Sequence, residues 1–323
     1  MNSVILVPAY QCEHTIAETL HSLMAQGDAL NRVEAVYIAD DASTDRTTEV
    51  AAAVWQAKTP LRILKAEKNR GEYVNVNEAV AQFPLATDWF LIMHADNVAK
   101  AGWLNTFLDR AAQAGTKIGS ICSSWDDWKA DGTIVPGEDK SIDERSVIVG
   151  GEATVLRRTL LDGCWWHISS SIIRIAAYRD IGGLPRGLRL KGDWDFLLRL
   201  QSRGWDIEYV PVTLMKYRES PQGSSSISFR LHGDIREILH VVWWHRWAFT
   251  FSDVVRFHVR HLGYMFRRFG GSLFRGNWQR LFWSVPAMGR VLASFIGCSL
   301  PPLGSPRRRD AIPYNGLSQG RLP

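Results

Sequence analysis

An apolar run of five residues, 89–93 (WFLIM), constrains the fold of this chain more than any other segment. It stops abruptly at the polar sequence 94–97 (HADN). A short apolar run with polar ends is typical of a strand buried on both faces, as in a parallel sheet. The carboxyl ends of such strands open into the crevice where these sheets bind ligands. Asp96 would lie there without a cationic neighbour in sequence, so turn amides or a divalent metal should hold its carboxylate.

Strand-like and helical patterns alternate over the first hundred residues. Strands are predicted at residues 4–7, 33–38, 61–64 and 89–93. The helix after the first strand should begin with a capping box between Thr15 and Glu18. Strands separated by helices of about 10 to 15 residues form right-handed βαβ units and a parallel sheet. This part of the sequence therefore predicts a Rossmann-like half.

The segment that follows is less regular. Residues 125–151 mix acids, glycines and aromatics without a steady period, which predicts a long substrate-facing loop. Short strands are predicted at 170–174 and 207–210, and an amphipathic helix should end at Gly204. Phosphate loops of the GxxxxGK[ST] or GxGxxG type do not occur, which excludes an ordinary nucleotide triphosphatase or dinucleotide pocket.

Composition limits the class of protein. A chain of 323 residues with 46% hydrophobic content can bury one large core plus an appendage, so one or two domains are expected. Its four cysteines form neither a CxxC pair nor a zinc spacing, which suits reduced thiols in a cytosolic protein. The amino terminus lacks a basic segment and predicts a first strand rather than a signal peptide.

Two acidic groups follow predicted strands. Asp40 and Asp41 close the second strand, and together with Asp45 they would suit a turn and a helix cap. Because the carboxyl ends of parallel strands meet at one edge of a sheet, these carboxylates should also converge with Asp96. Convergence favours a functional cluster over a purely local role.

Six short motifs, in their order and spacing, resemble those of the inverting glycosyltransferases of family 2, which have the GT-A fold. The resemblance extends from residue 4 to about residue 217. The motifs are Val7-Pro8-Ala9-Tyr10, Asp40-Asp41-Ala42-Ser43-Thr44-Asp45, Asn69-Arg70-Gly71, His94-Ala95-Asp96-Asn97, Gly182-Gly183-Leu184 and Gly192-Asp193-Trp194-Asp195.

The resemblance implies a pocket for a nucleotide sugar, with a UDP-sugar favoured. Its donor-binding positions would be Pro8, Ala9, Tyr10, Asp40, Asp41, Asn69, Gly71, His94 and Ala95. The Asp41 carboxylate would accept a hydrogen bond from a ring N–H such as that of uracil. Asp96 is similar to the last acid of the family's DxD motif and would bind Mg²⁺ or Mn²⁺ across the diphosphate oxygens, where the metal acts as a Lewis acid.

The resemblance also places a catalytic base. Asp193 occupies the family's base position with Asp195 beside it, and a second acid and a tryptophan nearby would raise its pKa. The alternative is that Gly192 and Asp193 only cap the following helix. One displacement at the anomeric carbon inverts its configuration, so no covalent intermediate is required.

An aromatic segment is the tentative acceptor site. Aromatic faces stack on sugar C–H groups, although adjacent tryptophans also suit ordinary core packing. The candidates are Trp165, Trp166, His167 and Trp194.

Two positions depart from the family's pattern. His94 stands where an acid is usual, and it would hydrogen-bond the ribose, ligate a metal or only pack. If Asn77 is aligned with the family's asparagine, Val76 takes the place of an arginine and a phosphate contact is missing. Both departures bear on donor identity and on metal dependence.

The carboxyl-terminal part differs in charge from the rest. Residues 230–323 contain 14 arginines, no lysine and four acids, so their net charge is +10. Because the whole chain carries +5, residues 1–229 carry −5. Apolar residues share one face of a predicted helix at 252–269, and arginines recur on the adjoining face, as in a helix that lies in a membrane interface. Trp243, Trp244 and Trp247 would add an aromatic belt.

Other interpretations of this part remain open. It would also suit a helical subdomain packed on the catalytic core or on a partner subunit. Nucleic acid is disfavoured because no nucleic-acid module precedes it. The most apolar segment, 281–300, is interrupted by Pro286, Gly289 and Arg290, which argues against a membrane span.

The sequence thus predicts an α/β protein with a GT-A catalytic domain over residues 1–225, whose mostly parallel central sheet is flanked by helices. An amphipathic helical region rich in Trp and Arg should follow over 226–300, and a disordered tail over 301–323. The expected enzyme is a cytoplasmic, metal-dependent (Mn²⁺ or Mg²⁺) glycosyltransferase, attached peripherally through its basic helices to an anionic inner membrane face. Its acceptor would be a glycan or lipid-linked precursor of cell-envelope polysaccharide. The alternatives are a nucleotidyltransferase and a non-catalytic scaffold that binds sugar nucleotide.

Overall fold

The structure is a computed structural model that describes residues 1–140, 144, 146–220, 229 and 232–299. Ten strands in these ranges form one sheet: β1 (Ser3–Ala9), β2 (Val36–Asp40), β3 (Leu61–Lys65), β4 (Trp89–Ile92), β5 (Val98–Ala99), β6 (Ile118–Trp128), β7 (Ile134–Val135), β8 (Ser146–Ile148), β9 (Ser171–Arg174) and β10 (Asp206–Arg218). The α-helices in these ranges are α1 (Ile16–Met24), α2 (Thr47–Val54), α3 (Glu72–Ala81), α4 (Trp103–Gln113), α5 (Ala153–Asp162), α6 (Ile175–Asp180), α7 (Gly192–Arg203), α8 (Gly233–His245), α9 (Phe251–Phe274) and α10 (Trp278–Ser299).

The sheet has the order β3-β2-β1-β4-β9-β6-β10-β5, with β7 paired to β6 and β8 to β10. The first four strands of this order are mutually parallel. Strand β9 runs antiparallel to both β4 and β6, so β6 and its parallel partner β10 point the same way as β4. Six strands therefore have their carboxyl ends at one edge, and the predicted α/β sheet flanked by helices is confirmed.

The sheet has an apolar core on each face because side chains alternate along its strands. On β1, Val4 and Leu6 enter one core while Ile5 and Val7 enter the other, and all four are fully buried. Helices α1 and α4 cover one face, and α3, α6 and α7 cover the other. Strand β4 contributes to both cores, which explains the uninterrupted apolar run in its sequence.

Two local predictions were wrong. The capping box at α1 does not form: Thr15 makes no side-chain cap, and Glu18 pairs with Arg218 at the end of β10 instead. Residues 125–128, predicted as loop, continue β6 because β10 runs beside them as far as Arg218. Tertiary pairing across distant strands outweighs the local turn signals here.

The carboxyl-terminal helices pack on the catalytic part rather than forming a core of their own. Buried residues of all three belong to the same apolar cluster as β1 and α7, among them Leu239, Phe257 and Val291. The side chains of Arg157 on α5 and Asp253 on α9 form a two-bond ion pair at 2.7 and 3.0 Å. The predicted boundary at 225/226 and the predicted disorder of 301–323 lie outside the described residues.

Helix α10 is continuous through Pro286, Gly289 and Arg290. Among the described residues, α10 is a single helix that is long enough and apolar enough to cross a membrane, by length and composition only. Of its most apolar 18-residue stretch, 22% is buried.

Substitution of two phenylalanines on α9 tests whether this helix packs on the core. Phe257 is 1% exposed and Phe266 is 62% exposed. We expect Phe257→Ala to lower the free energy of unfolding by about 3–5 kcal/mol, because it removes a buried ring and leaves a cavity. Phe266→Ala should change it by less than about 0.5 kcal/mol. Denaturant titration measures both, and equal effects would show that α9 is not packed on the core.

Candidate active site

The segment after β4 meets the first turns of α3 and α7 at the carboxyl edge of the sheet. Nε2 of His94 lies 2.8 Å from Oε1 of Glu72, and its Nδ1 lies 2.9 Å from Oγ of Ser169. The backbone N–H of His94 also donates to Ser169 Oγ, at 3.2 Å. Both ring nitrogens and the backbone of His94 are therefore engaged by the protein.

The Glu72–His94 contact is an ion pair. Burial would lower the pKa of His94, but the Glu72 carboxylate opposes it and raises the pKa to about 9. His94 therefore carries a positive charge at neutral pH, with both N–H groups donating. Of the roles predicted for His94, metal ligation fits least, because a protonated ring has no free lone pair for a metal.

Asp96 lies two residues further, in the same crevice. Burial raises the pKa of its carboxyl group, and the charge of His94 opposes this shift. Arg218 anchors the loop: its Nε donates to the backbone oxygen of Asp96 at 2.9 Å, and its backbone N–H donates to Oδ1 of Asn97 at 3.1 Å. In the described part of the chain, no three His, Cys, Asp or Glu side chains come together as a metal site.

Asp193 occupies the first turn of α7 and faces the same pair of charges. Its Oδ2 accepts a hydrogen bond from the backbone N–H of Ile168 at 3.4 Å. Burial is the largest cause that raises its pKa, to about 6, and Glu72 adds to this, while His94 and Lys191 oppose it. The shift has the direction that the sequence predicted, but the second acid is Glu72 and not the neighbouring Asp195.

Asp195 does not share the crevice with Asp193. It is fully buried, and its two oxygens accept hydrogen bonds from Nε of Arg199 at 2.7 Å and Nε2 of His245 at 3.0 Å. Burial alone would raise the pKa of Asp195, but Arg199 and His245 hold it at about 2. The predicted catalytic role of Asp195 is corrected, since its carboxylate is inaccessible and already paired.

The predicted donor-binding positions lie along neighbouring strand ends. Asp41 accepts hydrogen bonds from the backbone N–H groups of Arg70 at 3.0 Å and Gly71 at 2.8 Å. The N–H of Gly71, a residue with φ 90°, also donates to Oδ1 of Asn69 at 3.2 Å. The turn before α3 is thereby fixed against the end of β2.

The neighbouring turn positions are joined through the backbone. The N–H of Ala95 donates to the carbonyl of Pro8 at 3.3 Å, and that of Asp41 donates to the carbonyl of Ala9 at 2.9 Å. Tyr10 is 51% exposed at the rim. Asp40 is fully buried and accepts from the N–H of Ser43, so it holds its own turn and does not reach solvent.

The predicted acceptor tryptophans belong mainly to the core. Trp166 is 2% exposed and stacks on Phe196 with ring centroids 5.3 Å apart, and Trp194 is 4% exposed with its Nε1 donating to the carbonyl of Thr159. Trp165 is partly buried against the same cluster. This arrangement corrects the acceptor assignment for the three tryptophans, whose indole faces are used in packing.

His167, by contrast, lies in an aromatic group beside the crevice. Its ring centroid is 5.2 Å from that of Trp125, 5.1 Å from Tyr217 and 6.2 Å from His94. Burial, assisted by the charge of His94, lowers the pKa of His167 to about 3, so this ring is neutral. Trp125, His167 and Tyr217 form a neutral aromatic wall next to the charged residues.

Sequence reasoning missed two residues of the crevice, Glu72 and Arg218. Glu72 directly follows the motif 69–71, and Arg218 ends the last strand of the sheet. Its position in the sequence was thus the one indication that each residue belongs to the crevice. Their partners, His94 and Asp96, lie far away in sequence.

Comparison with known proteins agrees with this fold. Residues 4–150 match the family model described as glycosyl transferase family 2. A crystal structure of S. aureus TarS 1–349 has a TM-score of 0.63 at 18% identity, covering 93% of this chain and 81% of that one. The same protein in complex with UDP-GlcNAc gives a TM-score of 0.63 at 18% identity, covering 93% and 82%. GalNAc-T7 with UDP, GalNAc and Mn²⁺ gives a TM-score of 0.53 at 11% identity, covering 75% and 47%. Comparison with curated protein sequences gave no significant match.

The GT-A sheet and the family-model match together indicate a sugar-transferring enzyme, a glycosyltransferase. Residues 4–150 are similar to glycosyltransferase family 2, and the family assignment applies to this part of the chain.

Proposed function

We propose that this enzyme transfers a sugar from a nucleotide-sugar donor, with UDP as the favoured nucleotide, to a hydroxyl of a glycan or lipid-linked acceptor, with inversion at the anomeric carbon. The observation that carries the proposal is Asp193, a crevice carboxylate whose pKa is raised to about 6 beside Glu72 and His94. The structures of TarS with UDP and with UDP-GlcNAc support a UDP-linked donor.

Asp193 is suited to act as the general base. Its Oδ2 is engaged by Ile168, which leaves Oδ1 for the acceptor hydroxyl. The hydroxyl proton passes to Asp193 while the hydroxyl oxygen bonds to the anomeric carbon, and the bond from that carbon to the diphosphate oxygen breaks. A base with a pKa near 6 is ionised at neutral pH yet remains basic enough to assist. A single displacement of this kind inverts the anomeric centre.

The donor would lie across the turns at the ends of β1, β2 and β4. Each oxygen of Asp41 accepts one backbone N–H and keeps a second lone pair for a ring N–H of the base. His94 places a positive charge where family members usually carry an acid, so it would help to neutralise the departing diphosphate. The Glu72 contact keeps that charge in place.

A divalent metal fits this site as a group that arrives with the donor. Asp96 offers one carboxylate, and Mg²⁺ is commonly held by one or two carboxylates, waters and substrate phosphates. The Mn²⁺ in the GalNAc-T7 structure supports such a cofactor. When bound, the metal would supply Lewis-acid stabilisation of the leaving diphosphate. Asp96 would hold it, and the paired His94 would not.

The carboxyl-terminal helices would attach the enzyme to an anionic membrane, at the inner face of the cell membrane in the cytoplasm. Large apolar side chains are exposed along α9 and α10: Phe251, Val259, Phe266, Leu273, Phe274, Trp278, Phe282, Trp283, Val285, Leu292 and Ile296. Exposed arginines accompany them, at positions 256, 260, 267, 275 and 290. Exposed apolar patches rimmed by cations favour a membrane surface, and an acceptor held in that membrane would then be close to the site.

Incubation with UDP-, GDP- and dTDP-sugars tests the reaction. We expect free UDP to be released from a UDP-sugar, faster with Mn²⁺ or Mg²⁺ than with EDTA. Asp96→Asn should lower metal-stimulated turnover by at least about 100-fold, because charge stabilisation of the leaving group is lost. Release of pyrophosphate would instead indicate a nucleotidyltransferase, and donor binding without turnover would indicate a scaffold.

Asp193→Asn tests the base. Turnover should fall by about 10²- to 10⁴-fold, with the donor KM little changed, because the amide cannot accept the proton. The wild-type rate should rise with pH through a midpoint near 6, since the active form of Asp193 is the ionised one. Asp162→Asn, which alters an exposed acid on α5, serves as the control. Full turnover of Asp193→Asn would remove the base assignment.

Co-sedimentation with vesicles tests attachment. The full-length protein should bind vesicles with anionic lipid more strongly than neutral ones. Phe274→Ser and Phe282→Ser together should weaken this binding, because each removes an exposed apolar side chain (95% and 71% exposed) from the membrane-facing set. Leu85→Ser is the matched control, since Leu85 is 92% exposed but lies before β4. Unchanged binding of the double variant would contradict the membrane proposal.

A further inference from the structure

Helix α8 contacts the backbone immediately before the catalytic aspartate. The Glu237 carboxylate accepts three successive backbone N–H groups: Oε1 from Arg189 at 3.0 Å, and Oε2 from Leu190 at 2.8 Å and Lys191 at 2.9 Å. Hydrogen bonds to an ionised acceptor are short and strong. One side chain of the carboxyl-terminal region thus fixes the segment that leads into α7.

The next backbone N–H group is held by a side chain of α3 and not of α8. The N–H of Gly192 donates to the hydroxyl of Tyr73 on α3 at 3.2 Å. A Cβ at position 192 would lie 2.1 Å from Cε2 of Tyr73, so only glycine permits this approach. Tyr73 follows Glu72, the residue that faces both His94 and Asp193. The start of α7 is therefore clamped between α3 and α8, with Asp193 as its next residue.

A second contact from α8 lies one half-turn beyond Asp193. Nε2 of His245 donates to Oδ1 of Asp195 at 3.0 Å, and both residues are buried. Oδ2 of Asp195 accepts a hydrogen bond from Nε of Arg199, whose Nη1 donates to the carbonyl of Ile181. Nδ1 of His245 is buried without a hydrogen-bond partner in the described part of the chain. The side-chain hydrogen bond of this ring is therefore the one that Nε2 makes to Asp195.

We propose that α8 is a positioning element of the active site, in which Glu237 and His245 hold residues 189–195 so that the Asp193 carboxylate stays aligned in the crevice. The inference rests on the proposed function of Asp193 as the general base. Two anchors, one before and one after Asp193, restrict both the position and the tilt of the first turn of α7. Neither side chain contacts Asp193 itself, so each acts through the segment.

The expected effect is on the chemical step rather than on donor binding. The predicted donor contacts lie at the ends of β1, β2 and β4 and in the turn before α3, and none of them is on α8. A misplacement of about 1 Å caused by a change away from the reacting atoms can cost about 100-fold in rate. Loosening of residues 189–195 would therefore lower kcat and leave the donor KM and the affinity for UDP unchanged.

Loosening should also alter the pH profile. Burial is the largest cause of the raised pKa of Asp193, and the charged groups that face it are Glu72, His94 and Lys191. If water reaches Asp193 more easily, its pKa falls toward the ordinary value of 3.8. The acid midpoint of kcat should then move to lower pH. A general loss of folded protein would reduce the amount of active enzyme and leave this midpoint in place.

Substitutions in the full-length enzyme test the proposal. We expect Glu237→Gln to lower kcat by about 10- to 100-fold and to shift the acid midpoint downward, with UDP affinity within twofold of wild type. Arg236→Gln, an exposed neighbour on the same helix, is the control and should match wild type. His245→Met should lower kcat in the same way, whereas His245→Gln, which keeps an N–H donor for Asp195, should restore most of it.

Each other outcome overturns a defined claim. If Glu237→Gln and His245→Met keep wild-type kcat and midpoint while Asp193→Asn is inactive, the positioning role is wrong and the proposed function stands. If Glu237→Gln loses UDP affinity and thermal stability in parallel with kcat, α8 has only a structural role and the proposal is again wrong. If Asp193→Asn is fully active, the base assignment itself fails, whatever the α8 variants show.

Discussion

The ion pair between Glu72 and His94 sets the charge of the crevice, and the other acidic groups depend on it. It joins the first turn of α3 to the end of β4 at 2.8 Å and keeps His94 protonated. At both Asp96 and Asp193, burial is the largest cause that raises the pKa, while His94 lowers it and Glu72 raises it. The effect of His94 is the larger of the two at Asp96, and that of Glu72 is the larger at Asp193. One pair therefore pushes two carboxylates in opposite directions, which suits them to different tasks.

The sequence predicted those features that depend on short-range pattern. The alternation of strand and helix predicted β1 to β4, and the rule that parallel strands share a carboxyl edge predicted Asp41 and Asp96 at the same edge of the sheet. It could not supply Glu72, because an acid in the first turn of a helix is also an ordinary helix-terminal charge. Its pairing with His94 is created only when α3 packs beside β4.

The errors have a common physical origin. Trp166 and Trp194 have the composition of a sugar-stacking wall, yet the same large apolar rings are what a core requires, and only their 2% and 4% exposure separates the two uses. Likewise, Asp195 repeats the chemistry of Asp193 two residues later, but on a helix this spacing turns it away from the crevice. There His245 of α8 and Arg199 of α7 enclose it. The amphipathic pattern of α9 was equally ambiguous, and the helix uses one face for packing and leaves another exposed.

The placement of α8 bears on how this protein should be divided for experiments. Its first turn is tied to the last two helices, through His232 to Ser284 at 2.9 Å and through Asp234 to Arg268 at 3.3 Å, and its remaining length supports the start of α7. A chain ended just before α8 would keep the turns at the ends of β1, β2 and β4 but expose the apolar surface of α7. Such a fragment could still bind a nucleotide while being unable to use it, and its inactivity would be easily mistaken for a missing acceptor.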